Sequence, residues 1–338
     1  MAAQKPSLLI NLPPTFFTHP QMDSHFKRIE KLASAIRKTS HNTTAEIMND
    51  LPWAEAVIMW AWPGFGIDEL KLCQDLKFLG QINSTQKHVK ACLARGIAIS
   101  EARHCWSPAV AEMALTLMLA GLRQTSAFHI KMRVGMESWV NDFPKDIDPR
   151  ERQLTGRTVG IVGFGGIGQR LAQLLQPFHV TLRIYDPYLP DAIAKQNNVQ
   201  QVSMMELIRE SDVVVLCAAN NEGARHLVGV DEIAAFRSNA VLVNVGRSML
   251  VDMPALQKRV EKGDLIAMLD VFDNEPLELD HPLRKLSNAY LSPHRAGGIM
   301  ESVERALTML TDDLEAFGSG NSLKYAITEK MLSSLPEG

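Results

Sequence analysis

The chain has 338 residues, with 35 Lys and Arg against 38 Asp and Glu, a net charge of -3, and 46% hydrophobic against 22% charged residues. That balance suits a globular protein able to bury two cores of ordinary size, and it excludes a disordered or fibrous chain. The near-neutral charge offers no attraction to nucleic acid or an anionic membrane, so neither is expected as a partner.

In chain order, the first hundred residues alternate β-rich runs with helical patterns. SLLIN at 7–11 and AVIMW at 56–60 read as strands, as does KFLGQI at 77–82, with helices near 23–37 and 67–73 between them. This predicts a small α/β unit on a parallel sheet. The opening MAAQKPSLLINLPP has one Lys and an apolar run broken by Pro13 and Pro14, which fits a first strand and turn and not an export signal. The cysteines at 73, 92, 105 and 217 are far apart, with no CxxC pair, which points to a reduced, cytoplasmic protein.

Ser107-Pro108 reads as an N-cap followed by proline at the first helical position, opening an apolar helix from Pro108 to Leu122. Its 15 residues include Glu112 and fall short of the ~20 needed to cross a bilayer, so a buried helix is expected. The polar stretch around Asp142, Pro144, Asp146, Asp148 and Pro149 reads as a surface connection. From Arg157 a second series places strands at TVGIV, TLRIY, DVVVL, AVLVNV, LIAMLDV and AYLS, the makings of a doubly wound sheet. A last helix, about 300–317, ends at Gly318, and the 20 residues beyond it are too few for a third domain. They are expected to pack back on the first unit.

Gly163-Phe164-Gly165-Gly166-Ile167-Gly168 stands directly between the strand TVGIV and the helical IGQRLAQLLQ. Gly163 permits a tight turn, Gly165 lets backbone approach a pyrophosphate, and Gly168 lets helix and sheet pack closely. A glycine-rich turn alone would mean little. Asp186, 18 residues after Gly168 at the end of the next strand, adds a carboxylate for the ribose hydroxyls. It would repel a 2'-phosphate, and Pro187-Tyr188 after it supplies no arginine, so NAD (NADH) is favoured over NADP.

Three further motifs end strands on the same edge: Asn244-Val245-Gly246-Arg247-Ser248, the run from Leu269 to Pro276, and Leu291-Ser292-Pro293-His294-Arg295-Ala296-Gly297. Alone, each has a plain explanation as surface arginine, turn glutamate or capping histidine. Together they match reduction of a 2-oxo acid, which brings a carboxylate and a carbonyl that gains charge and needs a proton. Arg247 can fork to both oxygens. His294 supplies an imidazole, the side chain suited to giving and taking a proton near neutrality. Glu275 behind the ring would orient it and favour its charged form. Val245 and Asp270 fall where the nicotinamide would be contacted.

From Val110-Ala111-Glu112-Met113 through GRTVGIVGFGGIG, NVGRSMLVD and DVFDNEP to LSPHRAGG, the chain resembles the D-isomer-specific 2-hydroxyacid dehydrogenases. The resemblance implies an α/β fold of two Rossmann-like or flavodoxin-like domains with parallel sheets. Residues 1–105 and 298–338 would form the substrate domain, with an NAD-binding domain at 106–297 inserted into it and homodimers forming through the cofactor domain. It further implies catalytic Arg247, Glu275 and His294. Cofactor contacts would fall on Gly163, Gly165, Gly166, Ile167, Gly168, Asp186, Ala218, Val245, Asp270 and Gly297. The small-molecule partner would be a 2-oxo or 2-hydroxy acid.

The sequence departs from that pattern at Asn83-Ser84-Thr85-Gln86-Lys87, where members carry a glycine-containing loop that holds the substrate carboxylate. Ser84 and Thr85 could add hydroxyl donors and bind substrate, or the segment could be an ordinary polar loop. Ala102-Arg103-His104-Cys105-Trp106 replaces a Pro/Gly/Asn segment, and Ser248 replaces a glycine. Trp60, Trp62 and Trp106 could line a pocket or be structural. His104-Cys105 lacks further ligands at suitable spacing, so no metal is expected. Two other functions compete: an NAD-sensing, co-repressor-like interaction protein, and phosphite oxidation. Formate oxidation is disfavoured because formate enzymes of this family carry glutamine where Glu275 stands.

Overall fold

A computed structural model of the protein describes residues 5–60, 67–136, 139–219 and 222–335, so Trp62 lies outside the described residues. Strands β1 (Ser7–Asn11), β2 (Ala35–Thr39), β3 (Ala56–Met59), β4 (Phe78–Gln81) and β5 (Ala98–Glu101) form one parallel sheet in the order β2-β1-β3-β4-β5. β3 and β4 are buried along their whole length, which accounts for unbroken apolar runs in place of alternation. The helix expected over 23–37 stops at Glu30, and Arg37 lies in β2. β2 is a largely exposed edge strand, and its Arg and Lys imitate the polar face of a continuing helix.

The second sheet contains β6 (Thr158–Val162), β7 (Thr181–Tyr185), β8 (Gln200–Gln201), β9 (Val213–Leu216), β10 (Ala240–Asn244), β11 (Leu265–Leu269) and β12 (Ala289–Leu291). All pairs are parallel, in the order β12-β11-β10-β9-β6-β7-β8. The order reverses between β6 and β9, and the crevice outside the carboxyl ends at such a reversal is where ligands bind in this architecture. β8 is a seventh strand beyond the six predicted; two exposed glutamines carry no strand signal.

The apolar helix is Ser107–Arg123, and Ser107 is its first residue instead of its cap; Trp106 takes the cap position without a side-chain bond. With the turn before it, Arg103–Arg123 makes 21 residues, long and apolar enough by length and composition to cross a membrane, against the 15 read from sequence. In the fold it packs on the helix Gly166–Leu175 and on β10 and β11, where Ala111, Ala114, Leu117 and Met118 are buried with Leu171, Leu175 and Val241.

The chain divides into two compact units, Met1–Cys105 with Ile299–Gly338, and Trp106–Gly298. Within the first, the helix Met300–Gly318 returns to lie on the helix Asp23–Glu30, β4 and β5. Its buried Asp313 accepts from Ser100 Oγ at 2.7 Å and from the amides of Lys324 and Tyr325 at 2.7 and 2.9 Å. The tail then bonds along β5, Glu101 N–H to Tyr325 O at 3.0 Å and Ile327 N–H to Ile99 O at 2.9 Å.

Candidate active site

The glycine loop is shaped by two close approaches. Gly163 has φ +90°, a left-handed value, and a Cβ there would lie 2.6 Å from the backbone of Ala218, just past β9. A Cβ on Gly168 would lie 2.4 Å from Gly163 O. Gly165, by contrast, caps the helix Gly166–Leu175 and has nothing within 4 Å of its Cβ position. Open space thus lies beside the amides that begin the helix at Gly166 and Ile167, whose positive end favours an anion. The residues present fit a dinucleotide pyrophosphate.

Asp186, just after β7, is partly exposed. Its Oδ2 accepts from Phe164 N–H at 2.8 Å and its Oδ1 from Tyr188 N–H at 2.9 Å, so it fastens the glycine loop and keeps lone pairs for a diol. Val245, at the end of β10, is 5% exposed. Gly297 lies against Trp106, where a Cβ would sit 3.4 Å from the indole ring. Trp106 itself packs on the core of the second unit, and Trp60 meets Phe16 edge to face at 4.8 Å.

The three catalytic candidates are carried on turns at neighbouring strand ends. Fully buried Asn244 closes the first, accepting from Gly246 N–H at 3.1 Å and donating to Arg247 O at 3.0 Å. Exposed Arg247 donates from Nη1 to Gly246 O at 2.8 Å. After β11, Asp270 is fully buried. Its two carboxylate oxygens accept the amides of Arg295 and Ala296, each at 2.9 Å, and its carbonyl accepts His294 N–H at 2.9 Å. The sequence put Asp270 against the nicotinamide; in this fold its carboxylate is engaged in holding the turn that carries His294. Asn244 and this turn-holding role were missed, because both depend on strand ends meeting in space.

His294 itself has φ +51°, an uncommon left-handed value for a residue with a side chain. Such outliers persist where surroundings enforce them, and they cluster at functional sites. Its Nδ1 lies 2.7 Å from Glu275 Oε2, while Glu275 Oε1 accepts Phe272 N–H at 3.0 Å. Burial alone would raise the Glu275 carboxyl, but the bond with His294, the Phe272 amide and the neighbouring His294 and Arg247 outweigh it and hold it below the usual carboxylate range. An anionic Glu275 accepts from Nδ1–H, which leaves Nε2 as the nitrogen free for proton transfer.

In the first unit, the loop after β4 ends at Thr85, since Gln86 and Lys87 begin the helix Gln86–Ala94. Ser84 is 4% exposed, and its amide donates to Glu101 Oε1 at 2.9 Å. That amide is not available to a substrate carboxylate, as it would be in the pattern the sequence resembles. Ser84 Oγ accepts from the Gln81 amide, and Thr85 Oγ donates to His88 Nδ1 at 2.9 Å. His88 Nε2 reaches Gln81 Oε1 at 3.0 Å, and burial pushes that imidazole down to about 4, so it is neutral. Glu101 also lies 2.6 Å from Arg103 Nε. The sequence flagged neither residue as a site, though an acid closing an apolar strand, as in Ala-Ile-Ser-Glu, was a signal available to it.

Residues 115–296 match the family model for the NAD binding domain of D-isomer specific 2-hydroxyacid dehydrogenases. The D-3-phosphoglycerate dehydrogenase of Methanocaldococcus jannaschii is 28% identical over 302 residues, 88% of this chain and 56% of that protein. The chain thus spans little more than half of that relative's length. The glyoxylate reductase of Korarchaeum cryptofilum is 30% identical over 253 residues, covering 74% of this chain and 75% of the relative. Among solved structures, a phosphoglycerate oxidoreductase from Rhizobium etli superposes with a TM-score of 0.80 at 24% identity, covering 95% of this chain and 98% of that one. That likeness establishes the shared fold.

Proposed function

This chain belongs to the D-isomer specific 2-hydroxyacid dehydrogenases, and from that membership we propose that it interconverts a D-2-hydroxy acid and its 2-oxo acid with NAD(H). The observation that carries the reading is the 2.7 Å pair of His294 and Glu275 on a turn held left-handed at the edge of a dinucleotide fold.

Bound NADH supplies the hydride that reduces C2 of the oxo acid. Arg247 forks to the substrate carboxylate and carbonyl oxygen and neutralises charge as the carbonyl becomes an alkoxide. His294 gives its Nε2 proton to that oxygen in reduction and takes it back in oxidation. Glu275 keeps the ring in the right tautomer and orientation throughout. The test is NADH oxidation with a panel of 2-oxo acids, and NAD reduction with D- against L-2-hydroxy acids. We expect turnover of D-acids alone; NADH binding without oxidation by any oxo acid rejects the enzyme and favours an NAD-sensing role.

NAD is preferred over NADP because Asp186 would meet a 2'-phosphate. Asp186→Ala is expected to raise KM for NADH about tenfold, the worth of one or two hydrogen bonds to a charged group. Its preference for NADH over NADPH should fall by at least as much. An unchanged ratio of kcat/KM for the two cofactors contradicts the assignment.

We assign the protein to a reducing compartment, the cytoplasm, on the strength of its four free thiols. We also assign a homodimer through the second unit. Ile130, Met132, Val134, Met136, Trp139 and Phe143 are all more than half exposed on and after the helix Thr125–Arg133, an apolar surface of the kind that a second copy covers. Sedimentation equilibrium should return twice the chain mass, and Trp139→Ser with Phe143→Ser should shift it toward one; a wild-type monomer refutes this.

A further inference from the structure

We infer that Asn244, the buried last residue of β10, is a positioning residue for oxo-acid reduction: through the turn that it closes, it sets the direction of the Arg247 guanidinium. This rests on the proposed hydride transfer and adds to it a residue that acts only through Arg247.

β10 reads Ala-Val-Leu-Val-Asn and is buried along its whole length, so the amide at its end stands among apolar neighbours. Burying such a group is unfavourable unless its donor and acceptor are bonded. Both ends are spent on the turn that carries Arg247. Oδ1 accepts Gly246 N–H at 3.1 Å, and Nδ2 donates to Arg247 O at 3.0 Å. Those two bonds hold the peptide before Gly246 and the peptide after Arg247. Between them lies the peptide whose carbonyl, Gly246 O, accepts from Arg247 Nη1 at 2.8 Å. One side chain thus brackets the group that tethers the guanidinium.

The glycine beside the arginine makes the bracket necessary. Glycine populates both signs of φ, so an unheld Gly246 would let the peptide joining it to Arg247 swing and carry the tether with it. A Cβ at 246 would lie 3.3 Å from the carbonyl oxygens of Leu216 and Ala218, so the turn is seated close on the end of β9. On its far side, His226 N–H donates to Met249 O at 2.7 Å and Val228 N–H to Leu250 O at 2.9 Å. The main chain of Asn244 also reaches the other catalytic turn: its carbonyl accepts Asp270 N–H at 3.0 Å, and Asp270 O accepts His294 N–H at 2.9 Å. Arg247 and His294 are therefore both referred to one strand end, with the Asn244 amide as the link on the Arg247 side. Misplacing a reacting group by about an ångström can cost about a hundredfold in rate.

Asn244→Ser keeps a hydroxyl for Gly246 N–H and removes the donor to Arg247 O. It is expected to lower kcat/KM for the oxo acid turned over best by about ten- to a hundredfold, with KM for NADH within about twofold. Asn244→Thr, which fills more of the space, serves as the same test if calorimetry shows the serine variant to be unfolded at the assay temperature. A merely structural role is separated by repeating the change in Arg247→Lys, which has no planar fork. There Asn244→Ser should cost no more than about twofold, because the geometry it sets is already gone. Equal losses in the two backgrounds, or Asn244→Ser within about twofold of wild type, overturn the inference. Oxamate, an unreactive amide analogue with the carboxylate and carbonyl of an oxo acid, frees the result from turnover. Titrated into the NADH-loaded protein, it should bind wild type about tenfold or more tighter than Asn244→Ser. That difference with no oxo acid oxidising NADH rejects the hydride transfer and upholds the positioning of Arg247; equal affinity for the two proteins, or none for either, overturns the positioning.

Discussion

His294→Asn is expected to lower kcat for oxo-acid reduction by about 10²–10⁴-fold, the usual worth of a positioned proton donor. KM for NADH should stay within about twofold. Asparagine suits this test because it tolerates the left-handed backbone that His294 adopts at φ +51°, so the turn survives the change. The amide at 294 still donates to Asp270 O, and a side-chain amide still reaches toward Glu275, but no exchangeable proton is left on an ionisable ring. NADH affinity is read by fluorescence titration. A kcat within tenfold of wild type would falsify the role given to His294, and lost NADH binding would mean that the turn had collapsed. The same logic separates Arg247, whose removal should depress kcat/KM for the oxo acid without touching the cofactor.

The sequence made the second sheet legible because strands buried on both faces write themselves as apolar runs: Thr158–Val162, Ala240–Asn244 and Leu265–Leu269 all fall where the runs did. The glycine loop was legible for a different reason. Gly163 and Gly168 answer to a left-handed φ and to backbone contacts that no other residue accommodates. Edge strands β2 and β8 were illegible, since half-exposed strands of Arg, Lys and Gln bury too little to leave a pattern. The Ser84 and Glu101 pair was hidden for another reason. Ser84 and Glu101 are 17 positions apart and become neighbours through the register of β4 and β5. Composition and local spacing carry no trace of such a pairing. Departures from the resembled pattern at residues 83–87 and 102–106 were visible one by one, but the bond from Ser84 N–H to Glu101 was not.

Asp270→Asn is the change expected to cost the second unit most stability. The carboxylate is fully buried and accepts two backbone amides, from Arg295 and Ala296, at 2.9 Å each. An amide at 270 can offer its oxygen to one of them, and its NH₂ must then face the other N–H, a donor against a donor. Losing one charge-assisted bond and leaving a buried donor unsatisfied should cost about 3 kcal/mol. For a domain of this size that is a fall in Tm of roughly 6–12 °C. Since His294 N–H is tied to the carbonyl of the same residue, the imidazole should lose its alignment as well. Turnover should then drop about ten- to a hundredfold in the folded fraction, as misplacement of a reacting group implies. Calorimetry and steady-state kinetics on one preparation measure both. If Asp270 served the cofactor alone, Asp270→Asn would raise KM for NADH and leave the melting temperature of the cofactor-free protein in place. A fall in that temperature with KM for NADH little changed is the signature of a residue that builds the catalytic turn.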